Sequence, residues 1–311
     1  MKAIVYDKRN APAILTLREV EKPTPREDEV LVKIHAVSVN AADYRSMAMG
    51  LIPKRKIFGA DVAGVVEATG ANIGRFKVGD AVFGDLADAG FGGFAEYVAA
   101  PERLLARKPA GVTFEQAATL PIPALTALQG LRDIGKIQPG MKVLIYGAGG
   151  GVGNFAVQLA KHFGAQVTAV CGPHNTELIC ALGADRVIDY TQEDITQSDL
   201  TFDLILAVNG SRPLRDYQRM LSPNGIFVVA GGGLPQILKT MLLGPFMSLG
   251  SRKMRFLAAK ANPNDLDEII RLVAEGKLKP VIERTYPLEQ TPAAVDYLRQ
   301  GHARGKVVIQ I

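Results

Sequence analysis

The sequence predicts an α/β protein that joins a small β domain to a doubly wound parallel sheet. Residues 1 to about 110 read as short strands separated by glycine-rich turns, which is typical of a small barrel or sandwich. From Lys142 onward strand-like and helix-like runs alternate, and that order produces parallel strands connected by crossover helices. The closing run 306–309 is again strand-like, so we expect the chain to return to the first domain.

The elements of the first domain are predicted from alternating apolar residues and from turns. The first of them alternates around Lys33 and His35, and a later one is short and β-branched. The candidate strands span residues 30–39, 63–67, 81–83 and 94–98. Thr113 followed by Gln116 has the form of a capping box, so a helix should begin there.

The elements of the second domain and of the end of the chain are predicted from the same kinds of pattern. Its predicted strands span residues 142–146, 166–170, 186–189, 202–208 and 226–230. Predicted helices span residues 154–163, 176–182, 266–274 and 291–300. We assign residues 1–123 and 264–311 to one domain and residues 124–263 to the other. The apolar stretch 241–247 with 254–259 is a surface for a second copy, a piece of core, or a lid.

Composition excludes several classes of function. A chain of 311 residues suggests about two domains, and a net charge of +5 comes from scattered rather than clustered Lys and Arg. With no Trp and 6% aromatic residues, we expect no specific nucleic-acid partner. The cysteines are Cys171 and Cys180, which favours a reducing cytoplasm. Apolar stretches are too short to span a bilayer, so no membrane partner is expected.

A glycine-rich turn over 146–153 follows a predicted strand and precedes a predicted helix. Such glycines let the backbone turn tightly and approach a pyrophosphate, which the free N–H groups of the helix then bind. The spacing G-x-G-x-x-G is not met, because position 152 is Val152. Gly147, Gly150 and Gly153 are evenly spaced instead, and with Gly151 and Val152 they predict a dinucleotide site.

The end of the next strand bears on the choice of cofactor. An NAD site usually carries an acidic residue there, about 20 residues after the loop. Residues 169–172 include no acidic residue. The usual contact with the ribose of NADH is therefore missing, and no carboxylate repels the 2′-phosphate of NADPH. NADPH is therefore the predicted cofactor and NADH the alternative. His174, Asn175 and Tyr190 are the candidate contacts at this end.

Several motifs, in order, resemble one known family. They are residues 38–43 (SVNAAD), 59–64 (GADVAG), 92–97 (GGFAEY), 125–129 (LTALQ), 182–185 (LGAD) and 301–309 (GHARGKVVI), together with the glycine loop. The chain thus resembles the medium-chain dehydrogenase/reductase superfamily, in its zinc-independent quinone reductase branch. Residues 279–288 look like the subgroup of reticulon-interacting mitochondrial proteins.

The resemblance implies a GroES-like β domain, a Rossmann domain, a cleft between them and, commonly, a homodimer. It places the glycine loop at the pyrophosphate, Thr126 near the nicotinamide, and Tyr190 and Arg304 near the adenosine phosphate. Asn40 and Asp43 should line the cleft. Relatives usually carry a hydroxyl residue and then Lys or Arg at 172–174, which this chain lacks. The Tyr of enoyl-thioester reductases is also missing at 51–53.

The zinc ligands of the alcohol dehydrogenases in this superfamily are not reproduced. Asn40 stands where their first Cys would be, and Ala60 stands where their His would be. We therefore expect no metal. Without a Lewis acid, a conjugated acceptor such as a quinone or an α,β-unsaturated carbonyl is the predicted substrate, because it accepts hydride readily. Tyr44 is the candidate donor to the developing oxyanion.

Other interpretations stay open. Asp43 either serves the reaction or anchors the end of a strand, and Arg304 and Lys306 either contact the cofactor or are surface charges. The chain is alternatively an enone or alkenal reductase without quinone activity. A protein that binds NADPH with little turnover is the alternative from a different functional class.

Overall fold

The computed structural model describes residues 1–7, 14–301 and 303–311. Its strands are β1 (Lys2–Asp7), β2 (Ile14–Glu19), β3 (Glu29–Val39), β4 (Asp61–Thr69), β5 (Ala81–Asp85), β6 (Tyr97–Pro101), β7 (Leu105–Arg107), β8 (Lys142–Tyr146), β9 (Gln166–Cys171), β10 (Arg186–Asp189), β11 (Phe202–Ala207), β12 (Leu221–Val229), β13 (Lys253–Phe256), β14 (Ile282–Pro287) and β15 (Lys306–Gln310). Its helices are α1 (Ala41–Met49), α2 (Phe114–Ala118), α3 (Pro121–Gln129), α4 (Gly151–His162), α5 (Thr176–Ala181), α6 (Leu214–Arg219), α7 (Leu234–Met247), α8 (Pro263–Ala274) and α9 (Thr291–Arg299).

The chain divides into two compact units. The first unit consists of Met1–Ile122, Ala261–Gly276 and Pro280–Ile311. The second unit consists of Pro123–Lys260 and Lys277–Lys279. No helix in the described part of the chain is both long and apolar enough to cross a bilayer.

The first unit is built on a mainly antiparallel sheet with the long strand β3 at its centre. β3 pairs antiparallel with β4, β6 and β15, and the sheet continues from β4 through β5 to β7. β14 extends the other end in parallel with β15, so the C-terminal strands do return to the first domain as predicted. Its core contains Phe58, Phe94 and Leu104, which are fully or almost fully buried.

The second unit contains a six-stranded parallel sheet in the order β10-β9-β8-β11-β12-β13. This is the doubly wound order, in which the chain reverses direction between β8 and β11, and the predicted fold is confirmed. Leu144, Ile205 and Phe227 are fully buried, as expected for strands covered on both faces. The carboxyl ends of β8, β9 and β11 meet at one edge, where ligands of such sheets bind.

Two sequence predictions of strand position are wrong by several residues. The predicted strand 94–98 begins only at Tyr97, because Phe94 bonds to the Phe58 carbonyl in a loop instead. β12 begins at Leu221 rather than near 226. Its pairing with β11 shifts register there, and the excursion contains Asn224 in a left-handed conformation. The polar residues that predicted the end of a loop form a bulge within the strand.

Helix α4 also begins earlier than predicted, at Gly151 rather than 154. Gly150 caps it in an extended conformation, so the glycines themselves form the first turn of the helix. Glycine lowers helix propensity, which is why the pattern predicted a later start. The free N–H groups of the helix therefore lie inside the glycine-rich segment.

Candidate functional site

The glycine loop connects β8 to α4 at the carboxyl edge of the parallel sheet. Gly147 has a φ of +93°, a conformation that favours glycine, and this reverses the chain directly after the strand. The N–H groups of Gly147 and Ala148 donate to the carbonyl of Val170 at 3.0 and 2.9 Å. The loop is thereby fixed to β9 before the helix begins.

Two glycines of the loop differ in what surrounds them. A Cβ atom on Gly153 would lie 2.3 Å from the carbonyl oxygen of Gly147, so the helix approaches the strand too closely for a side chain. A Cβ atom on Gly150 would meet nothing within 4 Å, so space is open in front of the helix N-terminus. Close packing behind the loop and open space before it fit a pyrophosphate.

A cavity of about 370 Å³ adjoins this loop. It is lined by Tyr146, Gly147, Val170, Tyr190, Asn209, Ser211 and Arg212. The sequence predicted Gly147 and Tyr190 here, and it missed the last three residues. They follow β11, whose carboxyl end is at the same edge as those of β8 and β9. The position of β11 in the strand order was the signal that could have found them.

Arg212 is the cation of this cavity. Its Nε donates to the hydroxyl of Tyr146 at 3.3 Å, and a terminal nitrogen lies 3.2 Å from a carboxylate oxygen of Asp194. The Tyr146 hydrogen bond and the Asp194 charge raise the pKa of Arg212 above its usual value. About a third of its side chain is exposed, so a bound anion could reach it.

The other residues predicted at the adenosine end lie close by in different settings. Tyr190 is exposed, and its hydroxyl would be 3.1 Å from a Cβ atom on Gly172, so this glycine leaves room for the ring. Asn175 packs its side chain against Gly149, and its buried Oδ1 atom has no hydrogen-bond partner among the described residues. His174 is exposed in a short turn and does not line the cavity.

Two further predicted cofactor contacts lie on helices of the second unit. Val152 is half-buried in the first turn of α4. Thr126 is buried within α3. Arg304, predicted at the adenosine phosphate, belongs to the first unit, where it is exposed and its backbone N–H donates to a Glu283 carboxylate oxygen at 2.8 Å.

The predicted catalytic residue Asn40 lies in a buried polar cluster of the first unit. Its amide nitrogen donates to Asp61 at 2.8 Å and to the carbonyl of Ser38 at 3.2 Å. Its amide oxygen accepts a hydrogen bond from Lys306 at 2.6 Å. The orientation of the amide group is therefore fixed, because its nitrogen faces hydrogen-bond acceptors and its oxygen faces a hydrogen-bond donor.

Asp43 is fully buried and anchors the start of α1. One of its carboxylate oxygens accepts from the N–H of Asn40 at 2.8 Å, and the other accepts from the N–H of Gly59 at 3.0 Å. Burial raises its pKa to about 7, against the opposing effect of these bonds and of Lys306. The same cause raises the pKa of Asp61 well above its usual range.

Lys306 completes this cluster from β15. It is buried, so its interpretation as a surface charge is wrong. The ammonium donates to the Val39 carbonyl at 3.1 Å as well as to Asn40. Burial lowers its pKa to about 8, while the charges of Asp61 and Asp43 act in the opposite direction.

Tyr44 lies one position beyond Asp43 on α1. It is half-buried against the core of the first unit, and the Arg45 guanidinium lies 6.0 Å from its ring centre. Within the described residues its hydroxyl has no hydrogen bond to another protein group. This hydroxyl is thus available to donate to a ligand.

The side chains that commonly bind metals are dispersed over the two units. Across residues 1–7, 14–301 and 303–311, no group of three or more His, Cys, Asp or Glu side chains could hold a metal ion. Cys171 and Cys180 are both free thiols. Burial raises the pKa of Cys171 to about 11, so this thiol is protonated near neutral pH.

Comparison with known families gives two matches along the chain. The family model described as "Alcohol dehydrogenase GroES-like domain" matches residues 26–110. The family model described as "Zinc-binding dehydrogenase" matches residues 182–309. The first match agrees with the GroES-like domain that the sequence predicted.

Individual relatives cover almost the whole chain. The human mitochondrial NAD(P)H oxidoreductase RTN4IP1 (Homo sapiens) is 35% identical in an alignment that covers 91% of this chain and 82% of the relative. The 2-methylene-furan-3-one reductase of Solanum lycopersicum is 34% identical in an alignment that covers 99% of this chain and 79% of the relative. The solved structure of the quinone oxidoreductase from Coxiella burnetii is 30% identical, with a TM-score of 0.89, covering 100% of this chain and 99% of that structure.

Proposed function

Because the chain belongs to the quinone oxidoreductase branch of the medium-chain dehydrogenase/reductase superfamily, we propose that it is an NADPH-dependent oxidoreductase. Its substrate is a quinone or an α,β-unsaturated carbonyl, to which hydride is transferred. The observation that carries this proposal is the cavity beside the glycine loop, where Gly147 and Arg212 line one space. The loop suits a pyrophosphate and the guanidinium suits a further phosphate.

The choice of NADPH rests on the charges at this cavity. A 2′-phosphate carries a charge of about −1.5 to −2. The lining residues contain one cation and no carboxylate, and Tyr190, Ser211 and Asn209 add hydrogen-bonding groups. Arg212 thus makes the contact with the 2′-phosphate that is expected of a Lys or Arg near position 174 in relatives. NADH would lack the phosphate that this cation binds.

The acceptor is proposed to react in the first unit's polar region. When bound, the nicotinamide supplies the hydride. Tyr44 donates to the oxygen that becomes negative, and Asp43 acts on the reaction by holding the start of α1. Asn40 has one free lone pair on its amide oxygen after Lys306 has bound the other. Thr126 and Arg304 complete the proposed cofactor contacts.

We propose that no zinc takes part. Asn40 is an amide bonded on both sides, and it stands at the position where zinc relatives place a thiolate. Amide and ammonium groups do not form the N/S ligand sets that zinc prefers. Conjugation already makes quinones and enones good hydride acceptors, so the loss of a Lewis acid is tolerated for these substrates.

A second candidate is an enone reductase without quinone activity. The similarity to a 2-methylene-furan-3-one reductase favours it, since that name describes a conjugated ketone. A third is an NADPH-binding protein with little turnover. These three functions need the same cofactor site and differ in whether a bound cofactor is consumed and by which acceptor.

We also propose that the enzyme is a cytoplasmic homodimer. β13 is at one end of the parallel sheet and pairs only with β12 among the described strands. Its free edge can bond to the same strand of a second copy. Free cysteines are in keeping with a reducing compartment.

Kinetics separate these functions. NADPH and NADH oxidation are followed separately with a quinone and with an alkyl enone, each with and without a chelator. Chelator-insensitive oxidation that is faster with NADPH supports the proposal. Consumption with the enone alone assigns the second candidate. Binding of both cofactors without consumption by any acceptor assigns the third.

A further inference from the structure

Asp61 is a buried carboxylate that takes no direct part in the proposed reaction. It is the first residue of β4 and has no exposed surface. In the sheet it lies opposite Ser38 of β3 and Asp85 of β5. A carboxylate that is removed from water in this way is costly unless its oxygen atoms accept hydrogen bonds. The partners of Asp61 therefore indicate which groups it holds in place.

One oxygen of Asp61 holds the proposed catalytic residue Asn40. The Oδ2 atom accepts a hydrogen bond from the amide nitrogen of Asn40 at 2.8 Å and another from the hydroxyl of Ser38 at 3.3 Å. On its other side, Asn40 accepts from the ammonium of Lys306 through its amide oxygen. Because an amide has one donor end and one acceptor end, only one orientation of Asn40 satisfies Asp61 and Lys306 together.

The other oxygen of Asp61 holds the start of helix α3. The Oδ1 atom accepts from the backbone N–H of Ile122 at 3.0 Å. Ile122 is the second residue of α3, where backbone N–H groups have no partner within the helix and favour a negative charge. Thr126, a proposed cofactor contact, follows about one turn later on the same helix.

We propose that Asp61 is a positioning residue for the nicotinamide half of the cofactor. Its two oxygen atoms bond to the side chain of Asn40 and to the first turn of the helix that carries Thr126. One planar carboxylate thereby sets the position of both. The inference rests on the proposed function, which places the reaction at Asn40 and the nicotinamide at Thr126.

The substitution Asp61→Asn separates the two bonds. The new amide oxygen can still accept from Ile122, but the new NH₂ group then faces the NH₂ group of Asn40. If Asn40 rotates to avoid this, its own NH₂ group faces the ammonium of Lys306 instead. No orientation of Asn40 satisfies both neighbours, so its side chain loses the fixed orientation that the carboxylate provides.

Calorimetric titrations with NADPH and with 2′-phospho-ADP-ribose, which is NADPH without its nicotinamide, test the proposal. In Asp61→Asn the Kd for NADPH should rise about fivefold, the effect of about one hydrogen bond. The Kd for the fragment should change less than about twofold, since its phosphates are proposed to bind elsewhere, at the glycine loop and Arg212. An equal rise for the two ligands would show a general structural role and overturns the proposal.

Steady-state kinetics give a second readout. In Asp61→Asn, kcat with a quinone or an enone should fall at least about tenfold, because small misplacements of reacting groups are costly. With NADPH deuterated at the transferred position, the isotope effect on kcat should increase, since hydride transfer becomes the slow step. If kcat and the isotope effect both stay unchanged, the proposal is overturned.

Asp85→Asn is the matched control. Asp85 is a buried carboxylate opposite Asp61 on the neighbouring strand, and it accepts from the backbone N–H of Ala87 at 2.8 Å. This variant should leave both Kd values and kcat unchanged. An equal loss in Asp85→Asn would mean that any buried carboxylate of this region has the same effect, and the proposal fails.

Melting temperature and far-UV circular dichroism report whether each variant folds. If Asp61→Asn does not fold, Asp61→Glu replaces it and should give the same difference between NADPH and the fragment. It keeps the charge near Lys306 and displaces both oxygen atoms by one methylene group. Failure of the proposed function is a separate result. If the original protein consumes NADPH with no acceptor, the calorimetric comparison still decides whether Asp61 acts on the nicotinamide half.

Discussion

The Nζ atom of Lys306 lies 2.6 Å from the Oδ1 atom of Asn40, and both side chains are buried. Since the amide oxygen of Asn40 accepts from an ammonium, its nitrogen faces the carboxylate of Asp61, at 2.8 Å. The last strand of the chain thereby orients a residue 266 positions earlier. The side chain of Asn40 is thus oriented by Asp61 of β4 and Lys306 of β15, and not by its own loop alone.

Removing the ammonium should destabilise the protein. Lys306→Met retains most of the side-chain length and leaves Asp61 and Asp43 without a buried cation. Breaking a buried charge cluster in this way costs about 3–5 kcal/mol of the free energy of unfolding. Urea titration at neutral pH measures the change. Lys54→Met, at an exposed lysine, is the control, and an equal effect of the two substitutions would show that the cluster contributes nothing.

Asp43 should make the stability depend on pH. Its pKa is about 7 in the folded protein and about 4 in the unfolded chain, so the folded state binds more protons between these values. The free energy of unfolding contributed by this group therefore falls as pH rises from about 4 to 7. Asp43→Asn should be less stable, because its NH₂ group faces a backbone N–H, and should lose this part of the slope. Urea unfolding at several pH values from 4 to 8 tests both. A slope that is unchanged in the variant would contradict the assignment.

The folds of both units could be predicted from the sequence, because the patterns that indicate their strands, helices and turns are local. The parallel strands around Leu144 and Ile205 are short apolar runs between helices, and the glycine loop follows the first of them. The C-terminal return to the first domain was predicted from the strand-like run beginning at Lys306. Boundaries failed where glycine or polar residues were used within an element, as at Gly151 and Asn224, and where the apolar Phe94 bonds in a loop before β6.

The composition of the site could be predicted only in part. Arg212 was missed because its position at the cavity depends on which strands are neighbours, and that order is a property of the whole sheet. The burial of Lys306 was missed for a similar reason, since its partners Asn40 and Asp61 are more than 240 residues earlier. A buried lysine is rare, so a sequence pattern alone favours the surface.

Substitutions at two glycines of the loop should have separate effects, one on the stability of the fold and the other on cofactor binding. Gly153→Ala places a methyl group 2.3 Å from the Gly147 carbonyl and should reduce the free energy of unfolding by about 1–3 kcal/mol. Gly150→Ala enters open space with an ordinary φ of −84°, so it should fold normally. Its methyl group should nevertheless weaken NADPH binding, because the pyrophosphate is proposed to occupy that space.

Thermal melting and NADPH titration by fluorescence measure these two effects. Gly74→Ala, where a Cβ atom also meets nothing within 4 Å, is the control outside the loop and should change neither quantity. Unchanged NADPH affinity in Gly150→Ala would mean that the dinucleotide does not lie in front of α4.

Tyr44→Phe tests the proposed proton donor. Removing one hydroxyl that stabilises a developing oxyanion should lower kcat at least about tenfold with a quinone or an enone. The KM for NADPH should stay unchanged, because the phenol is not proposed to touch the cofactor. Tyr97→Phe, half-buried in the same unit, is the matched control. An equal kcat in both variants would leave Tyr44 as a packing residue.

Arg212→Gln tests the choice of cofactor. The guanidinium lines the cavity beside the glycine loop and is held by Tyr146 and Asp194, so it is in place before a ligand arrives. Loss of a charged hydrogen bond to the 2′-phosphate should raise the KM for NADPH at least about tenfold. The KM for NADH should change less than about threefold, since NADH has no phosphate there. Arg215→Gln, an exposed arginine on α6, controls for net charge. Steady-state kinetics with both cofactors measure these KM values. An equal rise in the KM for NADPH and for NADH would place Arg212 at the adenine ring or the ribose rather than at the phosphate.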